Sequence, residues 1–178
     1  FVLIGLFAVK RLGGEESFRY VFEKAEMGVP FRITLYAPDE VRARTAAEAA
    51  FDRVEELNRV FSDYDPESEL SRLCHRESTG ETVPVSRDLW NVLSGARDLS
   101  SRSEGAFDVT IGPVVNVWRR ARRRGELPSE GLLEDAMRRV GWRRMQLVEE
   151  RQAVRLELPG MRLDLGGIAK GVAVDAAL

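Results

Sequence analysis

Alternating apolar and polar residues in the first quarter of the chain predict two paired strands. Residues 17–37 alternate loosely, are rich in Phe, Tyr, Val and Ile, and are interrupted at Gly28 and Pro30. Such a pattern is typical of a β-hairpin. The period then changes, because apolar residues recur at three- and four-residue steps through Phe61. We therefore expect a helix there, capped by Asp39, with one buried face.

The middle of the chain predicts short elements separated by turn residues. We expect a short helix at 68–74, a strand at 82–85 and a helix that follows Ser86 and ends by Gly105. Further helices are predicted at 114–124, where Gly125 is the stop, and from 128 to near 141.

The last third returns to alternation. Residues 145–148 and 153–158 are predicted as paired strands joined by a turn at 149–152, and 162–165 as another strand. Gly166-Gly167 then opens a segment that has helical spacing from Ile168 onward. Strands and helices follow one another without a regular βαβ order, so the predicted fold class is α+β with a mixed sheet.

Composition and charge argue against several classes of function. The chain has 178 residues, 44% of them hydrophobic and 31% charged, which is typical of one globular domain. A net charge of −2 argues against a nucleic-acid binder. The arginine-rich run at 119–124 is interpreted as the solvated end of a helix. Cys74 is the only cysteine, which excludes an internal disulfide and a multi-cysteine metal cluster.

The opening nine residues carry no charge and are followed by Lys10 and Arg11. They are too short to span a bilayer but suit a signal sequence or the end of a membrane anchor. A buried strand is the alternative. We expect residues 1–17 to be a signal or anchor remnant with a linker, and residues 18–178 to be the N-terminal part of a larger domain.

The segment 162–171 is the strongest candidate for binding chemistry. A predicted strand enters two glycines and then a helix start, whose free N–H groups suit a phosphate or pyrophosphate. Lys170 adds a positive charge. A tight structural turn explains the glycines equally well, because their spacing fits neither common nucleotide motif. Asp164 stands between leucines and needs a partner if it is buried; the donors of a ligand are one possibility.

Two other segments have alternative interpretations. Asp108, in the stretch 104–113, is either a hydrogen-bond acceptor for a ligand or a capping residue in a turn. Tyr64 follows the first predicted helix among acidic residues. It either stacks on a flat heterocycle or covers the core.

Taken in order, these segments resemble the ApbE family of FAD:protein FMN transferases. The resemblance covers the chain from Met27 to Asp175 and rests on several motifs in family order. They are Met27-Gly28, Phe61-Ser62-Asp63-Tyr64 with Ser68-Glu69-Leu70-Ser71, the run 105–110 with Gly112-Pro113, Trp118, and the run 163–171.

The resemblance implies an ApbE-like, T-fold-related domain that holds FAD as substrate in a cleft, with Mg²⁺ on the pyrophosphate. It implies that Gly167 offers its carbonyl to the metal. A threonine or serine hydroxyl of a target flavoprotein, such as a redox-pump subunit, would take the FMN half. The expected location is the inner membrane or periplasm. The residues implied for the FAD site are Met27, Tyr64, Ala106, Phe107, Asp108, Asp164 and Lys170.

The sequence departs from the family pattern in two respects. Cys74 stands where asparagine is usual, and the C-terminal half, with its His-containing segment and further Mg²⁺ ligands, is absent. We expect residues 1–178 alone to lack transferase activity. The alternatives to transfer are hydrolysis of FAD by a pyrophosphatase and flavin binding without chemistry.

Overall fold

The computed structural model describes residues 2–12, 15–75 and 80–178; for residues 3–12 and 15 it describes the backbone alone. The chain divides into two compact units. The first contains residues 1–58 and 170–178, and the second contains residues 59–169.

The first unit is built on a three-stranded antiparallel sheet in the order β1-β2-β3. Its strands are β1 (Val2–Leu12), β2 (Glu15–Glu26) and β3 (Val29–Ala37). Helix α1 (Glu40–Phe61) follows and continues into the second unit. Asp39 accepts a hydrogen bond from the backbone of Arg42 at 2.8 Å, the expected N-cap.

The core of this unit is formed by apolar residues that alternate along β2 and recur at helical spacing along α1. The buried residues that form it are Tyr20, Phe22, Ala37, Ala43, Ala47 and Phe51. Aromatic rings from the strand lie against small residues of the helix, which lets the two elements approach closely.

The second unit combines short helices with a three-stranded antiparallel sheet in the order β4-β6-β5. Its elements are α2 (Glu69–Cys74), β4 (Thr82–Pro84), α3 (Arg87–Arg102), α4 (Gly112–Arg124), α5 (Glu130–Met137), β5 (Met145–Val148) and β6 (Ala153–Leu156). Ser68 and Ser86 cap α2 and α3 with their side chains, and Gly125 ends α4 at φ 69°. Helix α6 (Ala169–Ala176) begins in this unit and continues into the first.

The predicted α+β class and most predicted elements are confirmed. The strand predicted at 162–165 is wrong: this stretch forms only a parallel bridge between Arg162 and Ile111. Its extended course ends where Asp164 accepts the N–H of Gly166 into its own side chain. Helix α4 begins two residues earlier than predicted, because proline is compatible with a first helical turn.

The apolar opening of the chain is strand β1, which pairs with β2. A strand is the alternative that the sequence left open. The signal or anchor hypothesis stays a prediction, and residues 1, 13 and 14 of the predicted segment 1–17 lie outside the described residues. Over the part of the chain that the structure describes, no helix is long and apolar enough to cross a membrane.

Candidate functional site

Residues 105–113 and 161–169, which contain most of the two segments 104–113 and 162–171 that the sequence singled out, lie side by side in the second unit. The backbone N–H of Asp164 donates to the carbonyl of Val109 at 2.8 Å. A Cβ on Gly112 would lie 2.6 Å from a backbone oxygen of the other segment. Because no side chain fits in that space, glycine at 112 is what permits the two backbones to come together.

The ring of Phe107 lies against Gly167. A Cβ on Gly167 would be 3.1 Å from Cε2 of that ring, closer than an ordinary contact. The N–H of Phe107 donates to the hydroxyl of Ser103 at 3.1 Å, which fixes the start of the loop. Ala106, beside it, is exposed. The glycine junction therefore receives an aromatic ring from the first segment.

Asp164 lies at the centre of the second segment and has two partners. Its Oδ2 accepts from Nη2 of Arg119 at 3.0 Å, and its Oδ1 accepts from the N–H of Gly166 at 2.8 Å. The side chain is only 12% exposed. A Cβ on Gly166 would lie 2.9 Å from Oδ1, so a larger residue there would displace the Asp164 carboxylate.

Arg119 joins three parts of the site. Besides Asp164 it pairs with Asp63, and its guanidinium lies 4.3 Å from the centre of the Tyr64 ring. Burial alone would lower the pKa of Arg119, but the hydrogen bond to Asp63 and the charges of both carboxylates raise it above its usual value. The guanidinium is therefore a permanent cation between two carboxylates and an aromatic ring.

Tyr64 projects from the loop after α1. Its side chain is 77% exposed, so it does not cover the core. One face of the ring is against Arg119, an arrangement that stabilises both groups through a cation–π contact. An exposed aromatic ring with a fixed orientation suits stacking on a planar ligand.

Asp108 has a different environment. Its Oδ1 accepts from the N–H and the hydroxyl of Thr110 at 2.8 and 2.7 Å, and its Oδ2 accepts from the N–H of Trp142 at 3.0 Å. The hydroxyl of Thr110, which is fully buried, in turn accepts from the N–H of Gly141 at 2.7 Å. This carboxylate ties its loop to the segment before β5. Its Oδ2, which accepts only one hydrogen bond, keeps a lone pair for a further donor.

A sequence model of the ApbE family matches residues 27–178. The chain belongs to the ApbE family. FAD:protein FMN transferase of Haemophilus influenzae is 34% identical over 157 residues, which is 84% of this chain and 45% of that protein. FAD:protein FMN transferase of Chlamydia muridarum is 29% identical over 156 residues, 87% of this chain and 49% of that protein.

Solved structures agree. Flavin transferase ApbE from Vibrio cholerae is similar with a TM-score of 0.80 and 28% identity, over 90% of this chain and 52% of that one. The ApbE protein of Thermotoga maritima matches with a TM-score of 0.80 and 26% identity, over 89% of this chain and 51% of that one. The chain therefore spans about half the length of the relatives that it matches.

Of the residues that the family resemblance implied, those of the second unit are brought together in two groups. Phe107 lies on Gly167, and Tyr64 and Asp164 share the guanidinium of Arg119. The remaining residues implied in this unit are Ala106 and Asp108, which belong to the loop that leads to Gly112.

Met27 and Lys170 belong to the first unit. Met27 and Gly28 form the two-residue turn between β2 and β3, with φ 49° and 74°. Positive φ at both positions is typical of the hairpin turn that matches strand twist, and it is unusual for methionine. Lys170 is exposed in the first turn of α6.

A cleft of about 390 Å³ opens in the second unit. It is lined by neighbours of predicted residues, such as Asp63 and Leu163, and by Arg120 and Arg162, but by none of the predicted residues themselves. Cys74 also lines it. The thiol accepts from the N–H of Leu163 at 3.3 Å, and burial raises its pKa to about 11, so it is not a nucleophile at neutral pH.

The described residues do not form a complete protein cage for a metal ion. Among them, no group of three or more His, Cys, Asp or Glu side chains is arranged to hold a metal. Mg²⁺ is commonly held by one or two protein oxygens together with substrate phosphates. The carbonyl of Gly167 is an oxygen of that kind, whereas both carboxylate oxygens of Asp164 already accept hydrogen bonds.

Arg119 is the site residue that sequence reasoning missed. The arginine run was interpreted as solvated, and Arg120 and Arg122–Arg124 are indeed exposed. Arg119 differs because it lies seven residues after buried Gly112 and four after half-buried Val115, on the inner face of α4. Helical spacing from the glycine was the available signal.

Proposed function

We propose that the complete protein transfers the FMN half of FAD to a threonine or serine hydroxyl of a target flavoprotein in a Mg²⁺-dependent reaction. The observation that carries this proposal is the pairing of segments 105–113 and 161–169, which places Phe107 on Gly167 beside Asp164. Family membership and the names of the relatives support the same reaction.

In this proposal the residues of the chain bind and orient FAD. The exposed ring of Tyr64 stacks on a planar ring of the dinucleotide, and Asp164 accepts hydrogen bonds from its donors. Lys170, in the first turn of α6, attracts the phosphates, whose charge the helix N-terminus also favours.

The reaction exchanges the phosphoanhydride bond of FAD for a phosphoester bond to the acceptor. The hydroxyl oxygen of the acceptor attacks the phosphorus of the FMN half and loses its proton, and the bond to the bridging oxygen of the pyrophosphate breaks. AMP leaves with the electron pair of that bond. The carbonyl of Gly167 is the proposed protein ligand for Mg²⁺, which would neutralise charge on the substrate phosphates.

Mass spectrometry of the acceptor protein tests the proposal. The complete protein is incubated with FAD, Mg²⁺ and a target flavoprotein, and a variant target that lacks the acceptor hydroxyl serves as the control. A covalent FMN adduct on the intact target alone supports transfer. Free FMN and AMP without an adduct would show a pyrophosphatase instead, and unchanged FAD would show binding without chemistry.

For residues 1–178 alone we propose that transfer does not occur. The chain spans about half the length of its relatives, and among its described residues no group of three or more His, Cys, Asp or Glu side chains could hold a metal ion. The same assay on this chain tests the point, since any flavin adduct would contradict it.

We also propose an extracytoplasmic location at the inner membrane or in the periplasm. The uncharged opening of the chain, followed by Lys10 and Arg11, supports it. Fractionation of the native host checks it, and a protein found only in the cytosolic fraction would contradict it.

A further inference from the structure

Arg119 contacts two of the residues proposed for FAD binding through a single guanidinium group. Its Nη2 is 3.0 Å from Oδ2 of Asp164, and its guanidinium carbon is 4.3 Å from the centre of the Tyr64 ring. The family resemblance assigned no role to this position. The contacts arise because α4 presents Arg119 on its inner face, 25% exposed, while the next arginines point to solvent.

We propose that Arg119 is a positioning and specificity residue for FAD, an inference that rests on the proposed function. Its planar guanidinium holds the Tyr64 ring and the Asp164 carboxylate in the arrangement that a planar heterocycle with N–H donors requires. Arginine alone among the cations has a flat, forked group that can bridge two carboxylates while it lies on an aromatic ring.

Two physical consequences support this role. Arg119 covers one face of the Tyr64 ring, so a ligand stacks on the other face. It also lowers the negative charge that an FAD pyrophosphate meets: with Arg119 the cluster of Asp63, Asp164 and Arg119 carries one net negative charge, and without it two.

Single substitutions measure the effect. We expect Arg119→Gln to weaken FAD binding by the complete protein at least about tenfold, as expected for a lost hydrogen bond to a charged group. KM for FAD rises while kcat changes less, because the residue orients the bound nucleotide rather than the reacting atoms. Arg119→Lys recovers part of the affinity. Arg123→Gln, an exposed arginine of the same helix, is the matched control and leaves binding unchanged.

A double variant separates positioning from simple charge. Arg119→Gln with Asp63→Asn restores one net negative charge but leaves Tyr64 and Asp164 without their common partner. Positioning predicts that binding stays weak, whereas full recovery of affinity would overturn the inference in favour of charge repulsion. A fall in melting temperature with unchanged FAD affinity in Arg119→Gln and Arg119→Lys would also overturn it, since that is a structural role.

The wild-type protein separates this inference from the proposed function. If it binds FAD and the Arg119 variants bind equally well, the inference about Arg119 fails and the proposed function stands. If the complete wild-type protein binds no FAD, both fail.

Discussion

Asp108 and Asp164 occupy neighbouring segments of the second unit, yet their carboxylates are held in opposite ways. Asp108 receives three hydrogen bonds, all from uncharged donors that belong to Thr110 and Trp142. Asp164 receives one from the backbone of Gly166 and one from a charged side chain, Arg119. Asp108 is therefore held by its own loop and by the backbone of Trp142, whereas Asp164 is held in part by the long side chain of Arg119.

These two sets of partners distinguish a carboxylate that stabilises a loop from one that can bind a ligand. Neutral donors from the backbone and from a short hydroxyl side chain hold a loop in one shape, and removal of their acceptor leaves these groups unsatisfied. A charged side chain can give up one hydrogen bond to a ligand and keep its others. We therefore expect Asp108 to matter most for stability and Asp164 most for FAD affinity.

The largest effect is expected where the two segments meet. Gly112→Ala places a methyl group 2.6 Å from the backbone oxygen of Arg162, and a backbone atom has little freedom to move aside. We expect the free energy of unfolding to fall by about 3 kcal/mol or more, together with loss of FAD binding. Urea denaturation measures the change.

Gly131→Ala is the matched control for that substitution. Gly131 lies in α5 with open space at the Cβ position. Alanine there is expected to stabilise the protein by up to about 1 kcal/mol, because glycine is the weaker helix former. Equal effects of the two substitutions would mean that the segments 105–113 and 161–169 are not held in close contact.

The second effect concerns Asp108. Asp108→Asn keeps the size of the side chain but turns an amide NH₂ toward the donors of Thr110 or Trp142. We expect a loss of about 2–3 kcal/mol in the free energy of unfolding, since at least one buried N–H loses its acceptor. Chemical denaturation followed by fluorescence reports it.

Asp98→Asn provides the comparison for Asp108. Asp98 is exposed on α3 and pairs with Arg102 at 2.9 Å, an ion pair that contributes within about 0.5 kcal/mol. If Asp108→Asn loses no more stability than this control, Asp108 is not a structural residue and belongs with Asp164 as a ligand-binding one.

The third effect concerns Asp164. Asp164→Asn preserves an oxygen for the N–H of Gly166 but removes the ion pair with Arg119, which Asp63 still holds. We expect about 1–2 kcal/mol of lost stability and a larger loss of FAD-binding free energy. Calorimetric titration with FAD and denaturation of the same sample compare the two. Equal losses of stability and of FAD-binding free energy would make Asp164 a structural residue like Asp108. The control for a surface change is Asp135→Asn, on the exposed face of α5.

Sequence patterns predicted most elements of this fold because their causes are local. Ser68, Ser86 and Gly125 mark helix ends by their own side-chain or backbone chemistry. The hairpin of β2 and β3 follows from alternation around a two-residue turn. The error at 162–165 has a tertiary cause, since alternation there serves burial of Leu163 and Leu165 without a partner strand.

The candidate site was only partly predictable for the same reason. Two glycine segments and Asp164 were identified from residue type and spacing. The partner of Asp164 was not, because Arg119 lies 45 residues away and its role depends on the angle at which α4 leaves Gly112. The donors of Asp108 show the same contrast between local and distant partners. Thr110 is two residues away, as the predicted capping turn requires, whereas Trp142 is 34 residues away and could not be predicted from spacing.

The smallest effect concerns Cys74, which tests whether the backbone beside Asp164 is closed to solvent. Burial raises the pKa of the thiol from its usual 9.0 to about 11. Between those values the thiol of the unfolded chain ionises while that of the folded protein stays neutral. Its contribution to stability is therefore complete below pH 9 and is lost as the pH rises toward 11.

Comparison with Cys74→Ala isolates this contribution, because all other groups titrate equally in both proteins. We expect the stability difference between wild type and variant, measured by denaturation across that pH range, to shrink toward alkaline pH. In the native protein at neutral pH the thiol should react slowly with a thiol reagent, and unfolding should make it react quickly. A native thiol as reactive as free cysteine would mean that the N–H of Leu163 and its neighbours are open to water, and the segment that carries Asp164 would then be less fixed than its hydrogen bonds indicate.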